Sequence, residues 1–386
     1  MTTAAKPNPL NPQNLRIVLV LQGGGALGAY QAGVYQALHE HDLVPDWIVG
    51  TSIGAINAAL IAGNEQANRL QRVKAFWDRV SHRDTIDMKR VGETERRSNI
   101  TLTTMDTVLR GAPGFFMPRL FSLFGFGATV APEQASFYDT EPLAATLDEL
   151  VDFDYLNAPG GMRLTVNAVN VGSGELAHFD SLDGDLTADH VRASGALPPA
   201  FAPVRIGTQL YWDGGLYSNT PLESVLGELH AGDTLCFMVD LWSAEGPEPH
   251  TLDQVQTRQK DVTYASRSQR HIDDYVATHE LQRKLRQLYA RLPAAKRTEA
   301  DRAELAALGC GSTLHIVRLP YAGRDWNMAS KDVNFSRGSI EWRWGQGYAD
   351  ALRALKAAGW LAAVAADTAV VVHELAPQER GERRSR

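Results

Sequence analysis

The sequence predicts an α/β fold with a mostly parallel central sheet. Two short apolar runs, Leu15–Leu21 and Trp47–Val49, are each followed by glycines and then by apolar residues at helical spacing. A strand, a tight turn and a helix in that order form the repeating unit of parallel sheets. Later strand-like runs at Leu164–Val171, Gln209–Trp212 and Leu235–Val239 are expected to complete the sheet.

The first strand leads into a glycine-rich loop, Gly23–Gly28. Its backbone amides would be unpaired at the start of a helix, with no side chains in the way. Free N–H groups in that position bind negative charge, either a phosphate or the oxyanion of an acyl-transfer intermediate. The loop also fits GxGxxG, but a dinucleotide site needs an acid at the end of the second strand. The nearest acid, Asp46, precedes that strand, so nucleotide binding is disfavoured.

The second strand leads into Gly50–Gly54, a GxSxG sequence with Ser52 at its centre. A serine on a sharp strand-to-helix turn has its hydroxyl exposed, and the flanking glycines let the turn close and a substrate approach. This placement predicts a nucleophile elbow. By itself the motif is weak, because a glycine-rich chain matches it by chance at an appreciable rate.

A third motif, Asp213-Gly214-Gly215, follows the strand that ends at Trp212. Glycines tolerate backbone angles that other residues avoid, so an aspartate beside them can be brought against a distant side chain. Asp213 is therefore a candidate base for a serine nucleophile, which needs a proton acceptor at about 2.6 to 3.2 Å. The alternative is that it only caps a turn. None of the eleven histidines lies at a strand end framed by glycines.

Taken in order, the GGGxxG loop, the GxSxG elbow and the DGG turn resemble the patatin-like phospholipase family over roughly Arg16 to Leu241. The resemblance implies a three-layer α/β/α fold and a Ser-Asp dyad without histidine, in which Asp213 activates Ser52 and an acyl-enzyme forms on Ser52. It also implies an oxyanion hole formed by the amides of Gly23, Gly24, Gly25 and Ile53. The remaining motif glycines are Gly28, Gly50, Gly54, Gly214 and Gly215.

The resemblance implies a serine hydrolase that acts on lipid esters without cofactor or metal. A second function stays open, that of a lipid-binding or complex-forming subunit with little turnover. One position departs from the family pattern. Many members carry Arg or Lys just before the last glycine of the first loop, where this chain has Leu27, so that cation has no counterpart at this position.

The segment 111–127 is expected to contact lipid. It holds five phenylalanines but is broken by glycines and prolines, which is typical of an acyl-chain lid or a membrane-contact patch rather than a long helix. Arg119 could meet an anionic head group. The alternative is a loop folded into the core or a protein interface. The block Ser194–Pro199 is either a pocket wall or an ordinary proline-rich loop.

The C-terminal part is predicted to be mainly helical. Leu252–Leu308 is dense in both charge signs and is either a scaffold or an arm that binds a protein partner. A late strand is expected at Leu314–Leu319. The block Lys331–Ser336 and the helix after it resemble the C-terminal extension of a bacterial subset of the family. We therefore divide the chain into a disordered tail (1–14), a hydrolase domain (15–242), a helical C-terminal extension packed on the core (243–375) and a charged tail (376–386).

Composition limits the function classes. The chain has 386 residues, and 38 basic against 45 acidic side chains give a net charge of -7, which disfavours nucleic-acid binding. Two cysteines exclude a disulfide framework. No apolar run is long enough to span a bilayer, and the N-terminus has no signal-peptide core. We expect a cytoplasmic protein with peripheral contact at the inner membrane and a lipid ester as substrate.

Overall fold

The computed structural model describes residues 8–84, 93–119, 129–228, 233–265, 268–307, 312–322, 328–365 and 368–375. The end of the predicted lid, with Phe121, Phe124 and Phe126, lies outside the described residues, as do residues 1–7 and the charged tail.

A mixed, mostly parallel sheet lies at the centre of the fold, as predicted. Its strands follow the order β11-β10-β9-β1-β2-β5-β8-β7, and β6 also pairs with β5. Pairing is parallel from β11 to β5, whereas β6, β7 and β8 are antiparallel. A small separate hairpin joins β3 and β4. The strands are β1 (Arg16–Leu21), β2 (Trp47–Gly50), β3 (Met117–Pro118), β4 (Tyr138–Asp139), β5 (Arg163–Asn170), β6 (Leu176–Asp180), β7 (Val204–Ile206), β8 (Gln209–Asp213), β9 (Thr234–Asp240), β10 (Leu314–Pro320) and β11 (Val370–Glu374).

Helices cover both faces of this sheet and complete the predicted three layers. Side chains of β1 alternate between the faces: Leu19 and Leu21 pack in one core cluster, Val18 and Val20 in the other. The helices are α1 (Ala29–Glu40), α2 (Ile53–Ala62), α3 (Gln66–Val80), α4 (Glu93–Arg110), α5 (Glu141–Leu150), α6 (Phe153–Asn157), α7 (Ala188–Ser194), α8 (Leu222–Leu226), α9 (Leu252–Tyr264), α10 (Ser268–Arg291), α11 (Glu299–Ala307) and α12 (Arg337–Ala357). Among the described helices, none combines the length and apolar composition needed to cross a bilayer.

Strand register brings the sequence motifs to one edge of the sheet. Leu21, the last residue of β1, pairs with Gly50 of β2 on one side and with Val239 of β9 on the other. The glycine loop and the elbow therefore leave the sheet next to each other. Asp213 arrives from the antiparallel β8, opposite Ala168 of β5.

The C-terminal extension is built into the sheet. Two late strands are present where one was predicted, and β10 lies between β9 and β11. Helix α12 packs closely on α1 because both carry a glycine at the crossing. A Cβ on Gly33 would lie 1.9 Å from the carbonyl oxygen of Trp344, and one on Gly347 would lie 1.9 Å from that of Tyr30. The domain boundary at residue 242 stays a prediction.

The expected disorder of the N-terminal tail does not hold for residues 8–14. The Asn8 side chain donates to the carbonyls of His41 and Asp42 at 2.9 and 3.0 Å. The Asn11 side chain bonds both the N–H and the carbonyl of Leu15. These polar side chains satisfy backbone groups that would otherwise be unpaired.

Candidate active site

Ser52 lies on a tight turn between β2 and α2. Its backbone has φ 56° and ψ −123°, a conformation that residues other than glycine rarely adopt and that is typical of functional sites. Close backbone contacts leave no room for a side chain at either flanking glycine. A Cβ on Gly50 would lie 2.5 Å from the carbonyl group of Gly54, and one on Gly54 would lie 2.2 Å from the carbonyl oxygen of Leu21. The turn has the geometry of a nucleophile elbow.

Asp213 lies close to the Ser52 hydroxyl, at the same cavity. The Ser52 hydroxyl lowers the pKa of the Asp213 carboxyl group, and the carboxylate accepts the N–H of Gly215 at 2.7 Å. Gly214 allows β8 to end against β5, because a Cβ there would lie 2.5 Å from the carbonyl oxygen of Asn167. The elbow and the DGG turn are thus brought together.

Burial controls the protonation of this carboxyl group. Asp213 is only 3% exposed. Burial raises its pKa to about 7, against the opposing effect of the Ser52 hydroxyl and of the hydrogen bond from the Gly215 amide. A carboxylate with a pKa near neutrality can both take up and release a proton at physiological pH.

The glycine loop faces the elbow but does not present all of its amides. Gly23 was predicted to supply an oxyanion donor, yet its N–H donates to the carbonyl of Asn219 at 3.1 Å. The Ala26 N–H donates to the carbonyl of Asp332 at 2.8 Å. In the described part of the chain, no acceptor is found for the amides of Gly24, Gly25 and Ile53. A Cβ on Gly28 would lie 2.5 Å from Ile53 Cγ1, so this glycine lets the loop approach the elbow.

Leu27, at the position where many family members carry a cation, is fully buried. Its side chain belongs to the main hydrophobic cluster, which also contains Ile53 and Trp77. Packing therefore accounts for this residue.

A cavity of about 160 Å³ opens beside Ser52. One wall is aromatic, with ring centroids of Phe116 at 5.3 Å from those of Phe115 and of Phe201. The aromatic residues of this wall are Phe115, Phe116, Tyr138, Phe201 and Phe335.

The described part of the predicted lid forms this wall. Phe115 and Phe116 are buried, so this half of the segment is folded into the core, as in the alternative considered from sequence. Arg119 does not project toward solvent for a head group but pairs with Asp139 at 3.1 Å.

Sequence reasoning missed several residues that support the site. The Ser194 hydroxyl accepts the N–H of Ser52 at 3.0 Å, a contact that was not predicted, whereas the Ser194–Pro199 block contributes Gly195 and Leu197 to the pocket wall, one of its two predicted roles. Asn219 and Trp242 both donate to the carbonyl of Gly23, at 3.2 and 2.8 Å. Their only signal was closeness to a recognised motif or strand end. Over the residues that the structure describes, no cluster of His, Cys, Asp and Glu could hold a metal ion.

Comparison with known proteins gives partial matches. An uncharacterized NTE family protein of Mycobacterium tuberculosis is 29% identical over 224 residues, which cover 58% of this chain and 30% of that protein. Patatin-like phospholipase domain-containing protein 6 of Mus musculus is 43% identical over 61 residues, covering 16% and 4%. A triacylglycerol lipase of Arabidopsis thaliana is 44% identical over 46 residues, covering 12% and 6%. The chain thus spans less than a third of the length of these relatives.

Among solved structures, VipD from Legionella pneumophila aligns with a TM-score of 0.38 and 14% identity, covering 89% of this chain and 67% of that chain. The type III effector ExoU aligns with a TM-score of 0.31 and 14% identity, covering 89% and 53%. A family model described as patatin-like phospholipase matches residues 19–226, and a second, described as patatin phospholipase, matches residues 262–367. Because the first covers more than half of the 386 residues, the chain belongs to the patatin-like phospholipase family.

Proposed function

We propose that this protein is a serine acyl hydrolase that cleaves lipid esters. The observation that carries the proposal is that the Ser52 hydroxyl and the buried Asp213 carboxylate lie together beside one apolar cavity. A serine hydroxyl becomes a useful nucleophile when a positioned base takes its proton. Asp213 is that base, and no histidine takes part.

The reaction then has two halves. Ser52 Oγ attacks the ester carbonyl while Asp213 accepts the hydroxyl proton, and the tetrahedral intermediate expels the alcohol, which takes that proton from Asp213. In the second half, water attacks the acyl-enzyme while Asp213 accepts its proton, and the tetrahedral intermediate releases the fatty acid as Ser52 Oγ takes that proton from Asp213. A pKa of about 7 for Asp213 supports both directions of proton transfer.

The amides of Gly24, Gly25 and Ile53 form the oxyanion hole in this proposal. They have no acceptor among the described residues, and they flank Ser52 at the edge of the cavity. Amide donors that are aimed at the oxyanion stabilise it in the transition state, each by about 10²- to 10³-fold in rate. Gly23 is left out because its N–H is bonded to Asn219.

The aromatic wall is the acyl subsite. Rings of Phe115, Phe116 and Phe201 surround the cavity next to Ser52, and each methylene buried there contributes about 0.8 kcal/mol. This preference for apolar chains supports a fatty acyl ester as substrate.

Helix α4 supplies a surface for peripheral lipid contact. Leu102, Met105 and Leu109 are each more than half exposed and share one helix face by their spacing of three and four residues. The adjacent Thr107 and Val108 line the cavity. An exposed apolar helix face next to the opening suits a lipid surface. The contact is thus proposed for α4 instead of Arg119 and the buried phenylalanines.

This surface has a matched control. We expect the double change Leu102→Ser and Leu109→Ser to reduce sedimentation with phosphatidylcholine vesicles while turnover of a soluble short-chain ester is kept. Leu281 and Leu288 on α10 are also spaced by seven residues and are more than half exposed. Their double change to serine should leave sedimentation intact. Equal effects of the two double changes would contradict the assignment of α4.

Covalent labelling tests the hydrolase proposal. A fluorophosphonate should modify Ser52 in the wild type and leave Ser52→Ala unlabelled, and Asp213→Asn should lose ester turnover. Lipid profiling against a cell extract, with Ser52→Ala as the blank, would identify the substrate. Wild-type protein that neither reacts with the probe nor hydrolyses any ester would contradict the proposal.

A second candidate is a complex-forming subunit with little turnover. The exposed leucines of α10, with Leu285 between Leu281 and Leu288, favour it, because spacings of four and three residues are typical of a helix that binds another helix. Labelling of Ser52 without turnover on any lipid would favour this function.

A further inference from the structure

We propose that the C-terminal extension holds the glycine-rich loop Gly23–Gly28 in its active position through two ion pairs. One is formed by Lys260 with Asp332, and the other by Lys331 with Asp261. Lys260 and Asp332 are positioning residues in this view. The inference rests on the proposed function and adds a requirement for the segment 328–335, which follows β10.

The backbone of Asp332 lies directly against the glycine loop. Its carbonyl accepts the Ala26 N–H at 2.8 Å. A Cβ on Gly25 would lie only 2.3 Å from the same oxygen, and Gly25 has φ +56°. This one carbonyl therefore limits where the Gly25 peptide can lie, and with it the direction of the proposed oxyanion donors.

The side chain of Asp332 fixes that carbonyl. Both carboxylate oxygens accept from Lys260 Nζ, at 2.7 and 2.9 Å, and the same ammonium donates to the carbonyl of Ala329 at 2.8 Å. Lys260 lies on α9, so hydrogen bonds from this helix hold both Ala329 and Asp332 in place.

The second ion pair lies deeper. Lys331 bonds Asp261, and both side chains are almost completely buried. Lys260 and Asp261 are adjacent in sequence, as are Lys331 and Asp332, and each of the four charges pairs with an opposite charge from the other segment. These four residues together therefore carry no net charge. Buried Arg343 adds hydrogen bonds to the carbonyls of Lys331 and Asn334, at 2.8 and 3.1 Å.

The same segment also contacts the other support of the loop and the pocket. Lys331 Nζ lies 4.9 Å from the ring centroid of Trp242, and Trp242 donates to the carbonyl of Gly23 at 2.8 Å. Val333 and Phe335 line the cavity. A shift of the segment would therefore move the amides and one pocket wall together.

Loss of the contact between Asp332 and the glycine-rich loop should weaken stabilisation of the transition state more than it weakens substrate binding. The oxyanion exists only after Ser52 has attacked, so misplaced donors lower kcat and leave KM nearly unchanged. A displacement of about 1 Å can cost on the order of 100-fold in rate. Loss of one partly exposed ion pair should give a smaller displacement.

The test uses Lys260→Met in the full chain, with p-nitrophenyl butyrate as a soluble substrate. We expect kcat to fall about tenfold, within the range that small displacements produce, with KM changed less than about twofold. The rate of Ser52 phosphonylation should fall in parallel. Arg353→Met is the control: its pair with Asp350 has the same 2.7 Å length, and Arg353 has the same 35% exposure as Lys260, but it lies on α12 away from the cavity.

Charge exchange adds a rescue. Lys260→Glu and Asp332→Lys should each lower kcat, and the double variant should recover activity over both single variants. Amide hydrogen exchange of a peptide covering residues 22–28 gives a readout that does not depend on hydrolysis, and Lys260→Met should speed exchange there while Arg353→Met does not. Unchanged exchange and unchanged kcat in Lys260→Met would overturn the inference. Absence of labelling in the wild type would instead overturn the proposed function.

Discussion

Replacing Asp213 by asparagine should stabilise the protein at alkaline pH while it removes activity. The carboxyl group is buried, and its pKa is raised from an ordinary value of 3.8 to about 7. At high pH the folded state therefore contains an ionised, buried carboxylate, whereas in the unfolded chain water solvates this group. Ionisation of Asp213 thus lowers the free energy of unfolding. The difference between the two pKa values corresponds to about 4 kcal/mol at pH values well above 7.

The sign follows from proton binding. Between pH 3.8 and about 7 the folded state retains a proton on Asp213 that the unfolded state has lost, so the contribution of this group to stability decreases as the pH rises. Below 3.8 both states are protonated and the contribution is complete. Asparagine has no proton to lose and can still accept the Gly215 N–H. From pH 5 to pH 8.5 the variant should gain about 3 kcal/mol relative to the wild type.

Urea unfolding at pH 5, 7 and 8.5 measures this change. Wild type, Asp213→Asn and Asp148→Asn should be compared, because Asp148 is an exposed carboxylate on α5 and serves as the surface control. The reasoning would be refuted if the free-energy difference between Asp213→Asn and the wild type were the same at all three pH values.

Three further outcomes are expected. The kcat/KM for a soluble ester should rise with pH and reach its plateau above an apparent pKa near 7, since only the ionised Asp213 can accept a proton; a rate independent of pH between 5 and 9 would exclude this base. Gly25→Ala should abolish Ser52 labelling, because the position combines φ +56° with a carbonyl oxygen 2.3 Å from the new Cβ. Gly160→Ala, with φ +82° and open space around it, should cost only stability. Ser194→Ala should slow labelling and lower Tm, because it leaves the Ser52 N–H without its acceptor, a loss of about 1 to 3 kcal/mol.

The motifs could be predicted from sequence because glycine spacing reports backbone constraints directly. A Cβ on Gly50 or on Gly54 would lie 2.5 or 2.2 Å from neighbouring backbone, so this turn requires glycine at both positions. Alternation of buried residues in β1 likewise reflects a sheet covered on both faces. The parallel layout and the elbow follow from such local rules.

Contacts between distant segments could not be predicted in the same way. The amide of Gly23 looked free because nothing near it in sequence accepts it, but the carbonyl of Asn219 does. Phe115 and Phe116 are as compatible by composition with an exposed lid as with a wall, and only their packing on Phe201 and Phe335 decides. The contact of Asp332 with Ala26 depends on how β10 returns the chain to the sheet.

These long-range contacts argue that the predicted hydrolase domain cannot work alone. A chain ending at residue 242 would lose β10, which pairs with β9 along its whole length, and would uncover the face of α1 on which α12 packs. It would also lose the carbonyls of Tyr264 and Asp332, which accept from Asn219 and Ala26. The elbow backbone costs on the order of 1 to 3 kcal/mol and persists only when its surroundings impose it. We therefore expect the truncated chain to lack both cooperative unfolding and Ser52 labelling, whereas labelling at the full-length rate would mean that the extension is dispensable for the site.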